Sequence, residues 1–145
     1  MTRIITNINR KGGVAKTCSI LNIGAALSML GKKVLLIDFD DSGDLTVQCG
    51  IEPESLEKTI YQVTIGQARP EDVVIHLPKF DLLPANEDLA GAIQDFTMLY
   101  LRKSVLGEGI LRQQLLGFVE QYDYVFFDPG PSLSRLLETL VNQVL

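Results

Sequence analysis

Short, continuously apolar runs alternate along this chain with longer segments of helical periodicity. The first run, Arg3–Asn9, carries Ile4, Ile5 and Ile8 and predicts a strand. From Lys16 to Leu30 the residues Ile20, Ile23, Leu27 and Leu30 recur at helical spacing. Between them Gly24, Ala25 and Ala26 are small enough to let that helix lie close on a sheet. Gly31 stops the pattern as a C-cap and Lys32-Lys33 follow it. Val34–Asp38 is a continuous apolar run ending in an acid, as expected of a parallel strand covered on both faces. Strand, helix and strand within about 35 residues make a βαβ unit, whose crossover is expected to be right-handed.

The middle of the chain is less regular. Asp40–Thr46, reading DDSGDLT, predicts a loop or tight turn. Pro53–Tyr61 predicts a short helix, Thr64–Ala68 a turn or helical start before Pro70, and Val73–Leu77 an edge strand. Phe80–Leu83 is a further strand, ended by Pro84. Asp88 suits a helix N-cap or first turn, and Leu89–Tyr100 reads as helix. Leu101–Glu108 favours neither state, whereas Ile110–Glu120 is helical through Leu111, Leu115, Leu116 and Val119. Tyr124–Asp128, YVFFD, is a second buried strand tipped by a carboxylate, and an apolar helix begins at Ser134 and runs to Leu145. Phe96, Tyr100, Phe118 and Tyr122 are assigned to core or interface rather than to base stacking. His76, the single histidine, has no second ligand nearby and reads as a surface or edge-strand residue.

Composition narrows the class. With 145 residues, 46% hydrophobic and 21% charged, the chain suits one globular domain with a sizeable core. A net charge of -5 argues against a surface built mainly for nucleic acid, although a local basic patch is averaged out of that figure. Cys18 and Cys49 form neither a disulfide framework nor a metal spacing and point to a reducing, cytoplasmic setting. Met1-Thr2-Arg3 leads straight into a strand, so no signal peptide is expected, and no apolar run reaches bilayer length.

The chemistry concentrates in Asn9–Cys18, NRKGGVAKTC, between the first strand and the first helix. Backbone N–H groups of a glycine turn entering a helix wrap phosphates well. The ordinary phosphate-loop pattern G-x-x-x-x-G-K-[ST] is not met, because Arg10 and Ala15 stand where its outer glycines belong. Gly12 and Gly13 let backbone approach an anion closely. Lys16 is placed to reach the β- and γ-phosphates, and Thr17 offers a hydroxyl to Mg²⁺. Lys11 is a second cation that the ordinary pattern lacks. A solvated Gly-Gly turn with incidental lysines is the plainer reading, and the acids closing two apolar strands weigh against it. Carboxylates at the C-terminal edge of a parallel sheet lie where metal and water would sit. An ordinary acidic turn remains the plainer reading of Asp40 taken alone.

K-G-G-V-A-K-T at 11–17 resembles the deviant Walker A of the ParA/MinD superfamily of ATPases. IDFDDSGDLT at 37–46 and DYVFFDPGPSL at 123–133 support the match, and DLLPANEDLAGA at 81–92 is similar to the Soj-like ParA branch. The resemblance implies an α/β, three-layer P-loop fold of four or five mostly parallel strands, of which residues 1–145 form a single, N-terminal portion. It implies ATP and Mg²⁺ as ligands. Lys11, Gly12, Gly13, Val14, Ala15, Lys16, Thr17 and Cys18 would cradle the nucleotide. Thr17, Asp38 and Asp128 would lie at the metal, and Asp40 would orient the attacking water. Lys11 would act in trans across an ATP-sandwiched dimer, with itself or a full-length paralogue. Asp41-Ser42 and Asp44 depart from the Pro-Gln and Asn usual there, and Pro129-Gly130-Pro131-Ser132 replaces Cys-Pro-Pro-Ser.

The role implied is a slow switch ATPase of DNA or plasmid partition with a ParB-like adaptor protein. Asn86–Asp88 would lie near the switch and dimer face. The family's regions for adenine recognition and non-specific DNA binding come after Walker B and are expected to be missing here, as is a membrane helix. The family topology puts the first strand beside later ones, so its edge would be open. Two other classes stay in view: a non-hydrolysing nucleotide-binding module that pairs with a full-length relative, and a remnant that binds no nucleotide.

Overall fold

The computed structural model describes residues 1–6, 15–92, 94–95 and 114–131. Among these residues five strands form one sheet: β1 (Arg3–Thr6), β2 (Val34–Phe39), β3 (Ile75–His76), β4 (Asp81–Leu83) and β5 (Tyr124–Pro129). Their order across the sheet is β1-β5-β2-β4-β3. The first four in that order run parallel, and β3 pairs antiparallel with β4 at the edge. The expected mostly parallel α/β sheet is therefore present.

β2 is buried along its whole length, and its alternate residues serve two separate cores. Leu35, Ile37 and Phe39 face one, together with Ile60, Val63, Leu83, Phe118, Val119, Val125 and Phe127. Val34 and Leu36 face the other, with Ile20, Leu45, Leu82 and Phe126. That split is the physical meaning of an unbroken apolar strand: it has no solvent side to mark with polar residues. Helix α1 (Lys16–Met29) covers the second face. Helical residues 114–119 and the short helix α3 (Ile60–Thr64) cover the first, giving three layers.

α1 lies close to the sheet because Gly24 is buried against β2. A Cβ at Gly24 would stand 3.1 Å from Leu36 Cδ2, so the small residue is a packing requirement. Gly31, at φ +76°, closes the helix as its spacing predicts. Among the described residues β1 pairs with β5 alone and stands at one end of the strand order, with Ile5 40% exposed. His76 sits on the opposite edge strand, exposed, with Nδ1 2.9 Å from Asp81 Oδ1. Phe118 and Tyr122 pack against each other in the core.

Several element boundaries differ from the sequence reading. Asp40–Thr46 is not all loop: helix α2 (Asp44–Gln48) begins inside it, after Gly43 turns the chain at φ +64°. The predicted helix over Pro53–Tyr61 resolves into a 3₁₀ turn at Pro53–Ser55 and α3 starting at Ile60. α3 starts there because Gln62 Oε1 accepts from Thr59 N at 2.7 Å while Thr59 Oγ1 accepts from Tyr61 N. The predicted strand Val73–Leu77 shortens to Ile75–His76, and a 3₁₀ turn, Glu87–Gly91, precedes helical residue 92. Asn86 is the N-cap residue of that turn, without a side-chain cap hydrogen bond, and Asp88 lies in its first turn, one of the two places expected for it. Expectations for 7–14, 96–113 and 132–145 lie outside the described residues.

Replacing Gly24 by Val is expected to lower stability by about 1–3 kcal/mol through overpacking against Leu36. Urea denaturation checks this, with an unchanged midpoint counting against close helix–sheet contact.

Candidate functional site

The C-terminal ends of β2 and β5 lie side by side, with Asp38 in register with Asp128 and Phe39 with Pro129. α1 begins beside them. Its N-cap, Ala15, is held in the left-handed region at φ 56°, ψ 30°. This is where the ordinary phosphate loop has a glycine, so the sequence departure is carried as backbone strain of roughly 1 kcal/mol. Lys16 and Thr17 then occupy the first turn of a 14-residue helix. The partial positive charge of the helix end adds to the lysine.

Lys16 Nζ donates to the Pro129 carbonyl at 2.8 Å, and Thr17 Oγ1 donates to Asp128 Oδ2 at 2.6 Å. The helix start is thus stitched to the tip of β5 by two predicted site residues. Asp128 is 3% exposed. Burial pushes its carboxyl above the usual range, against the pull of the Thr17 hydrogen bond and the Lys16 charge; Asp40 and Asp44 add to the rise. Cys18 is exposed in the same turn, its Sγ 3.6 Å from Gln48 Oε1. Lys11, Gly12, Gly13 and Val14 lie outside the described residues.

Asp38 is placed differently from a solvent-facing metal ligand. It has no exposed surface. Its Oδ2 accepts from Thr46 N at 2.9 Å and from Thr46 Oγ1 at 2.7 Å, and its Oδ1 accepts from Asp40 N at 3.2 Å. Gly43 has no side chain to cap α2, so Asp38 takes the amide that an N-cap would otherwise satisfy. Burial nevertheless dominates and lifts the Asp38 carboxyl to about 7, with Asp128 adding a smaller push.

Asp40 follows β2 and is half-buried, with Oδ1 accepting from Ser42 N at 3.1 Å. Its carboxylate lies directly over Gly130: a Cβ there would stand 2.6 Å from Asp40 Oδ1. Gly130 N also donates to Phe39 O at 3.0 Å, tying the two strand ends. Sequence reasoning read Pro129-Gly130-Pro131 only as turn chemistry. The need for glycine comes from Asp40, which is 90 positions away and invisible to local spacing. Asp41 is raised by partial burial and then by its hydrogen bond and charge contact with Asp40. Asp44 sits exposed in the first turn of α2, where an acid suits the helix dipole.

The donor set suits a hard, oxygen-preferring cation. A hydroxyl and a carboxylate meet at 2.6 Å beside further acids, and burial leaves Asp128 in want of positive charge. Among the described residues no group of three or more His, Cys, Asp or Glu forms a self-sufficient cage.

The family model for an AAA domain matches residues 2–143. The chain belongs to the ParA/MinD superfamily of P-loop ATPases. It is 36% identical over 138 residues to the sporulation initiation inhibitor protein Soj of Bacillus subtilis, covering 94% of this chain and 53% of Soj. It is 35% identical over 136 residues to the chromosome partitioning protein ParA of Caulobacter vibrioides, covering 92% of this chain and 50% of that protein. Among solved structures, cobyrinic acid a,c-diamide synthase from Mycobacterium smegmatis with bound ATP analog and magnesium superposes with a TM-score of 0.87 at 35% identity. That match covers 99% of this chain and 57% of the synthase. A putative plasmid partition protein from Borrelia burgdorferi bound to AMPPNP gives 0.78 at 27% identity, covering 98% and 58% respectively. The chain spans about half the length of the curated relatives it matches. Among the described residues no helix is long and apolar enough to cross a membrane.

The raised Asp38 carboxyl makes stability pH-dependent. Its folded value lies above that of the unfolded chain, so its contribution is fully present below about pH 4 and is lost as pH rises through about 7. Without nucleotide or metal, the unfolding free energy from denaturant titration should fall over that window by roughly a few kcal/mol. Asp38→Asn should flatten the curve; an equally steep curve in the variant would assign the titration to another group.

Proposed function

We propose that this chain is the nucleotide-binding half of a MgATP-dependent switch ATPase acting in DNA or plasmid partition. The observation that carries the reading is the pair of bonds from the first turn of α1 to the tip of β5, Lys16 to Pro129 O and Thr17 to Asp128. These place a cation, a helix N-terminus and a hydroxyl–carboxylate pair together where a parallel sheet receives phosphates.

In this reading Lys16 exchanges the Pro129 carbonyl for the β- and γ-phosphate oxygens, while the helix-start amides hold the same phosphates. Thr17 and Asp128 hold Mg²⁺, which, when bound, screens the charge between phosphate groups. Asp40 orients the attacking water, its carboxylate set by the Ser42 amide and by contact with Gly130. Lys11 stabilises developing negative charge from across a dimer interface, which makes turnover dependent on self-association. Gly12, Gly13, Val14 and Ala15 complete the cradle, with Cys18 at its rim. Likeness to a chromosome partitioning protein ParA supports the partition role; the cytoplasmic, nucleoid-associated setting, the ParB-like adaptor and non-specific DNA follow from the family resemblance. The extra acids Asp41 and Asp44 beside the phosphate site favour a second reading, in which the chain binds nucleotide without hydrolysing it and pairs with a full-length relative.

Calorimetric titration of MgATP into the 145-residue chain is expected to give micromolar binding. Lys16→Ala should weaken it by about 2–3 kcal/mol, tens- to a hundredfold. Wild-type and Lys16→Ala chains that bind alike would sink the phosphate-loop assignment.

Asp40→Ala should retain binding and lower hydrolysis by roughly 10²-fold or more. Gly130→Ala should do the same more weakly, by at least about tenfold, because the new methyl displaces the Asp40 carboxylate. Tight binding with no turnover at any concentration of chain, adaptor and DNA would leave the non-hydrolysing reading.

A further inference from the structure

We propose that Thr46 is the positioning residue for Asp40, acting as a buried strap that fastens the water-orienting loop to the sheet; this rests on the ATPase reading above. Thr46 lies in α2, has no exposed surface, and spends its hydroxyl in two directions. Oγ1 donates to Asp38 Oδ2 at 2.7 Å and accepts from Ala85 N at 3.0 Å. Its own amide donates to the same Asp38 oxygen at 2.9 Å. Asp38 Oδ1 in turn accepts from Asp40 N at 3.2 Å. One threonine therefore joins the end of β2, the start of α2 and the segment leaving β4, and the chain of bonds ends at the Asp40 backbone.

The surrounding backbone leaves this loop little alternative room. Gly43 N donates to Asp40 O at 3.0 Å, closing a turn over residues 40–43. Gly43 is in the left-handed region, and a Cβ on it would lie 3.1 Å from both Ala85 O and Pro53 Cγ. The turn is thus pressed against the segment whose amide Thr46 captures. Valine is nearly isosteric with threonine but has no hydroxyl. It would leave the Ala85 N–H without its acceptor and Asp38 with one donor fewer, inside a region with no water-facing surface. The Asp40 carboxylate itself would keep its chemistry and lose its fixed place, so the effect should fall on turnover and spare nucleotide binding.

The strap is tested first without nucleotide, by amide hydrogen exchange on the full 145-residue chain. In the wild type the Asp40 and Ala85 amides should be protected together. Thr46→Val should speed both by about tenfold relative to Leu36 and Phe126, the loss of roughly one hydrogen bond, and Thr46→Ser should restore them. With MgATP, Thr46→Val should lower kcat by about tenfold or more while KM stays within about threefold, and serine should recover turnover. Unprotected Asp40 and Ala85 amides in the wild type would overturn the proposal even if the valine variant fails to fold. So would unchanged exchange in a folded valine variant, or a loss of ATP affinity matching that of Lys16→Ala. A wild-type chain that hydrolyses nothing defeats the ATPase reading, while the exchange experiment still decides whether the strap exists.

Discussion

A carboxylate with no exposed surface ends β2, and the C-terminal side of the sheet is arranged around satisfying it. An isolated charge in that position would cost several kcal/mol, so the chain brings it three donors. Two come from Thr46 and one from the Asp40 amide. Supplying them requires α2 to begin with its N-terminus against the strand end, which in turn requires Gly43 to turn the chain in the left-handed region. The loop bearing Asp40 is then held between two strand tips. Even with three donors, burial outweighs hydrogen bonding at Asp38, as its raised carboxyl shows.

The second dependence is the pairing of β2 with β5. It places Asp38 level with Asp128, and the extra residue beyond each acid carries Phe39 and Pro129 into register. Because alternate residues of β2 enter opposite cores, neither strand can slip by one without turning its acid into a packed layer. The register thereby sets three contacts among the described residues: Thr17 reaches Asp128, Lys16 reaches the next carbonyl, and Asp40 rests on Gly130. Asp38, Asp40, Asp41, Asp44 and Asp128 cluster near the strand ends, and burial raises the carboxyls of Asp38, Asp41 and Asp128. The acids act on one another: Asp40 and Asp44 add to the rise of the Asp128 carboxyl, and the Lys16 ammonium opposes it.

Much of this was legible in residue order. Two unbroken apolar runs ending in Asp announced parallel strands buried on both faces, since a strand with a wet side would have alternated. Gly24 and Gly31 were readable too, one as a packing residue and one as a helix stop. The irregular stretch from residue 50 to 79 was read least well. Its helix is five residues long and owes its start to the Thr59–Gln62 capping box, a pattern present in the sequence but too short to stand out from its surroundings. α2 was hidden for a related reason: five residues give no period to detect, and its cap is Asp38, six positions before its first residue.

The sequence by itself determined the fold class and the family, and it put forward Lys16, Thr17, Asp40 and Asp128 as candidates for one site. These depend on local patterns: the apolar runs, the glycine loop, and acids placed at strand ends. Only the tertiary structure decided what Asp38, Thr46 and Gly130 are for. Asp38 fastens a helix start, Thr46 bridges two strand ends, and Gly130 makes room for a carboxylate. Each of those roles is a contact between segments that the chain order separates. Hydrogen bonding and excluded volume act across space, so no spacing within the sequence encodes them until the sheet has brought the partners together.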